Sequence, residues 1–531
     1  MLKKLRVGPS DLLVVLILFH LISNIVWIKL NNSPPAWDQA YHTKLSFEFA
    51  RFFQNTFTGN FNLKEFLQPF SDSYGPLIRI LTGFILFVLT PNIKLAQFTG
   101  TIFFLLTIII IYLLGKKLFL SEWIGLLSAF IFSFYQIIYD NSRWLLLDIP
   151  LIFFVLLSIY LLIESDFFEN RKYSLFAFLS FSLVVLTKLQ GLIYLIVPLG
   201  YSLMVIIKNK RFYRLYNILI GGLFFLLFIL GWLIFSFKNI ANYFFVAVKA
   251  EPIVDPVNLL NLTTWFHYLK LFIDYEIGFF VFIFFVVFLY YFIKHEAKHK
   301  FFILGGVVFY YILFTIFPNK DMRYLFPILP FTSLIFAKGF YESYKRHKIV
   351  AIIVLLLIVL FNITVYLTLS FGVPFEKGLR KQVNLPFIKD IVYLNLTDYP
   401  VEKFDPNKWP DEKIITDLSR IDTKPKKVLL TIDHEKINNS NFALFVYKNN
   451  IKNVEFIYPF DVTELREDEI PDYVRRFDYA LVSEDDINPF YLFNKKVLDQ
   501  LRIYVLINNL KLVNSYKLPT GQKIGAFKIK K

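Results

Sequence analysis

Nearly unbroken apolar runs of about 20 residues recur from Leu12 to Leu369. Each is long enough to cross a hydrocarbon layer about 30 Å thick. A water-facing fold has no place for so many of them. At about 150 residues per domain, 531 residues would otherwise suggest three or four soluble domains. Here hydrophobic residues make up 56% and charged residues 18%, and 64 Phe and 31 Tyr exceed what an aqueous surface covers. The pattern specifies a mainly α, multi-pass membrane protein. It excludes disorder, collagen and a purely soluble enzyme. The chain has no Cys, which rules out disulfides, thiolate metal sites and a Cys nucleophile and leaves the redox compartment undetermined.

The first run follows Lys3, Lys4 and Arg6 and extends to about Leu30. It is too long for a signal-peptide core and no A-x-A site follows, so it reads as a first span entering from the cytoplasm. Further spans are expected at 93–114, 122–139, 149–163, 173–187, 189–207, 214–237, 277–293, 300–317, 324–340 and 348–370. Segment 76–90 is short, starts after Gly75 and contains Arg79. The loop charges decide its status. If it does not cross, the basic clusters 115–117, 170–172, 208–211, 294–300 and 345–348 all fall on the cytoplasmic side. If it crosses, all of them fall outside, against the positive-inside rule. About eleven spans follow, with 76–90 as an interfacial or re-entrant helix on the outer face.

Two domains are expected: a transmembrane domain over 1–374, whose first outer loop is 31–92, and a soluble extracytoplasmic α/β domain over 375–531. In the second, charged residues rise to about a third, with 26 basic and 23 acidic. Strands are predicted at 427–432, 454–458 and 479–482, helices at 441–448 and 491–508, and a hairpin over 511–529 turning at Pro519–Gln522. The formal charge of +16 lies mostly in the first 374 residues, with 31 basic against 18 acidic. There it belongs to topology-setting loops. No basic stripe interleaved with exposed aromatics is present, so no nucleic-acid partner is expected.

Ionisable groups are scarce at the span centres, with His20 an exception. They gather at the outer ends of spans instead. Asp38 opens a predicted amphipathic helix over 41–53, where it is either an N-cap or a fixed carboxylate with a chemical role. His42 lies one turn on, on the same face. Arg143 has the forked geometry that suits phosphate oxygens, and Asp148 either pairs with it or meets an acceptor. Lys188 sits in the short turn Thr187–Gly191, and Arg323 at the entrance of the span after Pro318–Met322; both are candidates for a donor phosphate. Each residue alone also reads as an interfacial snorkelling group. As a set they place carboxylates and cations in one layer, which suits chemistry on a lipid-linked anion.

Asp38 after the first span, Asp72-Ser73-Tyr74-Gly75-Pro76-Leu77, Arg143 with Leu147-Asp148-Ile149-Pro150, Thr187-Lys188, and Arg323-Tyr324-Leu325-Phe326-Pro327 occur in that order. Over residues 1–370 the set resembles the GT-C glycosyltransferases of the protein-mannosyltransferase and aminoarabinose-transferase (ArnT-like) type. The resemblance implies a polytopic helical bundle and a sugar donor carried on polyprenyl phosphate or diphosphate. It also implies inverting transfer at the outer face of the cytoplasmic membrane. Asp38 would be the general base, and His42, Tyr74, Arg143, Asp148, Lys188 and Arg323 would bind substrate. Many relatives have Asp-Glu where this chain has Asp38-Gln39, and Tyr-Pro-Pro where it has Tyr74-Gly75-Pro76. The missing carboxylate weakens the case for a bound divalent metal, and no cofactor is assigned. The acceptor is a lipid, a polysaccharide or a protein. Two other classes fit a polytopic chain: a flippase or exporter of lipid-linked glycans, which needs polar groups inside its spans, and a non-catalytic scaffold.

Overall fold

The computed structural model describes residues 7–249, 258–317, 320–375, 378–384, 388–397, 401–421, 423–459, 465–485, 495–508 and 510–529. The helices in chain order are α1 (Pro9–Leu30), α2 (Trp37–Phe57), α3 (Leu63–Phe70), α4 (Leu77–Leu89), α5 (Ile93–Phe119), α6 (Glu122–Ser133), α7 (Gln136–Asn141) and α8 (Asp148–Glu164). They continue with α9 (Arg171–Thr187), α10 (Ile196–Lys208), α11 (Arg214–Lys249), α12 (Leu262–Leu271), α13 (Phe279–Lys294), α14 (Lys300–Ile316), α15 (Leu329–Arg346) and α16 (Lys348–Phe371). Short 3₁₀ turns at Leu189–Leu195 and Met322–Ile328 lead into α10 and α15, and a π turn at Phe272–Glu276 follows α12.

Every predicted span except 122–139 falls on one of these helices, or on a helix with its leading turn. The interruptions have sequence causes. Pro330 stands near the start of α15, where its missing N–H has no partner to lose, while Pro327 lies in the preceding 3₁₀ turn and resists extension of the helix backwards. Segment 122–139 is two helices, α6 and α7, broken at Phe134 and Tyr135. Among the described residues six helical segments are long and apolar enough to cross a membrane, and a seventh if α12 with its π turn and α13, bent by 118°, count as one. Segment 76–90 is the 13-residue helix α4.

The chain forms two compact units. The first comprises Met1–Ile28, Asn60–Thr82 and Lys94–Lys403; the second comprises Lys29–Gly59, Gly83–Ile93 and Phe404–Lys531. In the first unit α8 packs on α9, α9 on α11, and α15 on α6 and α13. A small antiparallel pair, β1 (Arg380–Val383) and β2 (Ile391–Asn395), also belongs to it. Asp274 in the π turn accepts the Val392 N–H of β2 at 2.9 Å.

The second unit contains α17 (Asp411–Arg420), β3 (Lys426–Leu430), α18 (Asn439–Lys448), β4 (Val454–Ile457), α19 (Ile470–Val474), β5 (Tyr479–Ser483), α20 (Lys495–Ile507), β6 (Lys511–Lys517) and β7 (Lys523–Lys528). The strand order is β4-β3-β5-β7-β6, with β3 parallel to β4 and β5, and β7 antiparallel to β5 and β6. Side chains alternate across the sheet, as a period of two demands. Val428, Leu430 and Leu481 join Ile414, Leu418 and Phe442 on one face. Leu429, Ala480 and Val482 join Val474, Val497 and Leu501 on the other. Both faces are covered, which is why these strands read as continuous apolar runs. The predicted strands, helices and hairpin are found; residues 491–494 of the predicted helix lie outside the described residues. The same unit includes α2, which packs on α18, and the second half of α4, where Gly83 lies against Phe49 and Ser46 of α2.

Candidate active site

In the first unit, α9 stops at Thr187 because Lys188 is extended (φ −156°, ψ 124°) and the chain tightens into the 3₁₀ turn. A Cβ on Gly191 would stand 2.4 Å from Val184 Cγ1 and 2.9 Å from Leu151 Cδ1, so only glycine lets this turn press against α8. Lys188 Nζ is thereby held 2.9 Å from Oδ1 of Asp148, the first residue of α8. A carboxylate there also meets the positive end of the helix dipole.

The third element is the turn before α15. Asp321 caps it, accepting the Arg323 N–H at 2.9 Å, and takes the same residue's guanidinium through Nε at 3.0 Å and Nη2 at 2.8 Å. Arg323 Nη1 is 3.7 Å from Asp148 Oδ2. The Tyr194 hydroxyl donates to the Tyr324 carbonyl at 2.8 Å, tying the two 3₁₀ turns together. Two carboxylates and two cations therefore alternate: Lys188, Asp148, Arg323, Asp321. Asp148 is 5% exposed, Lys188 15% and Arg323 31%, so the cluster is open at its arginine edge. Burial pushes the Asp321 carboxyl up, but Arg323 and then Lys188 outweigh it and hold it below the usual carboxylate range. Pro318 and Asn319 lie outside the described residues.

The 72–76 segment adjoins this cluster through the end of α9. A Cβ on Gly75 would fall 2.1 Å from the Leu186 carbonyl oxygen, so the chain passes too close to α9 for any side chain. Arg79, fully buried, pairs with Asp72 and donates to the Tyr74 and Gly75 carbonyls. From α11, Trp232, Ser236 and Asn239 donate to the Asp72, Phe70 and Ser71 carbonyls. The Tyr74 ring lies 5.7 Å from that of Tyr243.

Arg143 is placed differently from expectation. It makes no ion pair with Asp148; it is fully buried. Its Nε donates to Asn24 Oδ1 at 3.3 Å and its Nη2 to Ser370 Oγ at 2.6 Å. The Trp27, Tyr139 and Tyr366 rings surround it at 5.2–5.4 Å. Neither the phosphate-facing nor the snorkelling position is adopted; the rings, the Asn24 amide and the Ser370 hydroxyl take the place of a carboxylate. Beside it, His20 is buried among Phe19, Phe104, Phe134 and Tyr366.

Asp38 and His42 belong to the second unit. Pro34 and Pro35 keep the chain extended up to Ala36, the N-cap of α2 (φ −77°, ψ 157°). Asp38 lies in the first turn and is not the cap. Gln39 makes the return bond of a capping box, its Oε1 accepting the Ala36 N–H at 2.8 Å. Asp38 is half-buried and His42 is buried. Among the described residues no group of three His, Asp or Glu is arranged to hold a metal ion.

Residues 70–246 match the model of the dolichyl-phosphate-mannose-protein mannosyltransferases. An uncharacterized protein of Aquifex aeolicus (strain VF5) is 26% identical over 272 residues, 50% of this chain and 52% of that one; the match spans about half of the relative. Three solved structures superpose well. ArnT from Cupriavidus metallidurans in the apo state gives a TM-score of 0.59 at 12% identity, covering 98% of both chains. The same enzyme bound to undecaprenyl phosphate gives 0.52 at 14%, over 68% of this chain and 66% of that one. The Archaeoglobus fulgidus oligosaccharyltransferase tethered to an acceptor peptide gives 0.50 at 13%, over 97% and 74%. The fold is that of the GT-C glycosyltransferases. The family-model match contains Tyr74, Arg143, Asp148 and Lys188.

Sequence reasoning missed Asp321 as the second carboxylate of the cluster, although Asp321-Met322-Arg323 has the spacing of a capped turn. It also missed Glu276, a fully buried carboxyl at the π turn with neither oxygen hydrogen-bonded among the described residues. The Glu-x-Gly break before an apolar run was the available signal.

Proposed function

We propose that this chain is an integral-membrane glycosyltransferase. It moves a sugar from a polyprenyl-phosphate or diphosphate donor to an acceptor at the outer face of the cytoplasmic membrane, with residues 375–531 extracytoplasmic. The observation that carries the reading is the convergence of Asp148, Lys188, Asp321 and Arg323 from three separate elements. The mannosyltransferase-model match and the ArnT-like fold support it. The acceptor oxygen attacks the anomeric carbon as the bond to the phosphate oxygen breaks, so configuration inverts. Lys188 and Arg323 take up charge developing on the leaving phosphate, with no proton needed. Asp148 and Asp321 hold the two cations in place beforehand, which removes the cost of reorganising them. Asp38 accepts the acceptor's proton, a role worth roughly 10²–10⁴-fold. Tyr74 and His42 remain substrate contacts in this reading; Arg143, enclosed by protein, braces α1, α7 and α16.

The test is Asp38→Asn in the purified protein, with radiolabelled polyprenyl-phosphate sugars and cell-envelope extract. Labelled product should fall by at least about 10²-fold while binding of the lipid donor persists. Full turnover would remove the base. Lipid movement without a labelled product would indicate a flippase instead.

A further inference from the structure

Segment 29–59 and the C-terminal residues form one compact unit, and their contacts are specific. The Asn32 N–H donates to the Asp405 carbonyl at 2.6 Å, and its Nδ2 donates to the Pro406 carbonyl at 2.8 Å. The Asp405 N–H donates to Asn31 Oδ1 at 2.9 Å. Asn441, in the first turn of α18, donates to the Pro35 carbonyl. Arg51 lies 4.6 Å over the Tyr447 ring. The chain is held just before α2, at its entry and along its length.

One of these contacts is made by the residue just before Asp38. Trp37 Nε1 donates to Asp433 Oδ1 at 2.8 Å. Asp433 follows β3, which lies between β4 and β5, so its backbone continues from an interior strand of the sheet. It is 8% exposed, and Tyr458 donates to its other oxygen at 3.4 Å. Burial raises its carboxyl above the ordinary range, and the Trp37 and Tyr458 bonds work against that. Burying a carboxylate is unfavourable without donors, and one of its two donors comes from the first residue of α2.

We propose that Asp433 is a positioning residue. Its bond to Trp37 sets the first turn of α2 and so places the Asp38 carboxylate, which makes residues 404–531 the scaffold of the base as well as a domain in their own right. This rests on Asp38 being the base. Misplacing a catalytic group by about 1 Å costs on the order of 10²-fold, so a tether at the adjacent residue is enough to matter.

The test uses the full-length protein in lipid nanodiscs, with radiolabelled undecaprenyl-phosphate sugar and envelope extract, and hydrogen exchange in parallel. Asp433→Leu should lower kcat by roughly 10–100-fold and leave KM for the lipid donor within about two-fold. Asp433→Asn, whose amide oxygen still accepts, should recover most of the loss. Trp37→Phe, which leaves the C-terminal residues untouched, should reproduce the defect, and combining it with Asp433→Leu should add little. Amides of residues 40–44 should exchange about ten-fold faster in both variants, as expected for a lost hydrogen bond to a charged group, with β3, β5 and β7 unchanged. Unaltered exchange and kcat in Trp37→Phe, or an Asn variant as impaired as Leu, overturns the proposal. An inactive Asp38→Asn beside a fully active Asp433→Leu removes the positioning role alone. An active Asp38→Asn removes the base, and the exchange measurement then judges the tether.

Discussion

Two cationic sites in the first unit solve the same electrostatic problem in opposite ways. At Asp148, cations are met by carboxylates and the outermost member, Arg323, keeps 31% of its side chain exposed. At Arg143 the cation meets no carboxylate; three aromatic rings, an amide and a hydroxyl surround a fully buried guanidinium. An anion can reach the first site with little rearrangement. At the second it would have to displace the interior. Both arginines look alike in sequence, each near a span entrance, and only Arg323 is left partly exposed.

The comparison can be broken most decisively at Arg143. Arg143→Ala should destabilise the protein by about 3–5 kcal/mol, as for other large buried side chains, read as a lower melting temperature in detergent. Arg143→Met, which keeps the volume, should recover most of that. Equal stability in all three would mean the rings do not depend on the guanidinium. The opposite pattern is expected at the open site. Arg323→Met and Lys188→Met should each lower transfer by about 10²–10³-fold, the range for one charge-stabilising donor. Stability of the Arg323 variant should move by no more than about 1 kcal/mol, since the side chain is partly exposed. Normal turnover in both would detach this cluster from the chemistry.

Two smaller effects sharpen the picture. Gly75→Ala must move backbone away from Leu186, at an expected cost of about 1–3 kcal/mol, with reduced transfer because the shift reaches the Lys188 turn. Wild-type transfer at wild-type stability would mean the 72–76 segment is looser than its packing indicates. In the second unit, Asp411 opens α17 with both carboxylate oxygens buried and without a hydrogen-bond partner among the described residues; burial pushes it up to about 8. The helix dipole favours the anion there, and desolvation wins. The folded carboxyl keeps its proton to about pH 8, while the unfolded one loses it near pH 3.9, so this group's contribution to stability declines as pH rises through that window. Asp411→Asn should therefore stabilise, by about 1–3 kcal/mol at pH 8 and by less at pH 5. A gain of the same size at both values would contradict the buried acid.

Much of the fold was legible because the physics is local. A 20-residue apolar run reports a helix whatever surrounds it, and short apolar runs bounded by turn residues reported β3, β4, β5 and the β6–β7 hairpin. The short pieces were not legible. The break between α6 and α7, the π turn and the β1–β2 pair carry no periodic signal. Of the candidate site, Asp148, Lys188 and Arg323 were singled out and are brought together. Their pairing was not readable, because Arg143 is much nearer to Asp148 in sequence than either true partner.

The sequence by itself determined the order of the long apolar helices, the α/β character of the C-terminal part and the residue types available for chemistry. These follow from hydrophobic periodicity, which short windows contain. Only the tertiary structure decided which charges share a site, that Arg143 is interior, and that residues 29–59 fold with 404–531. Those outcomes depend on contacts between residues up to several hundred positions apart, such as Trp37 with Asp433, and no local pattern encodes them.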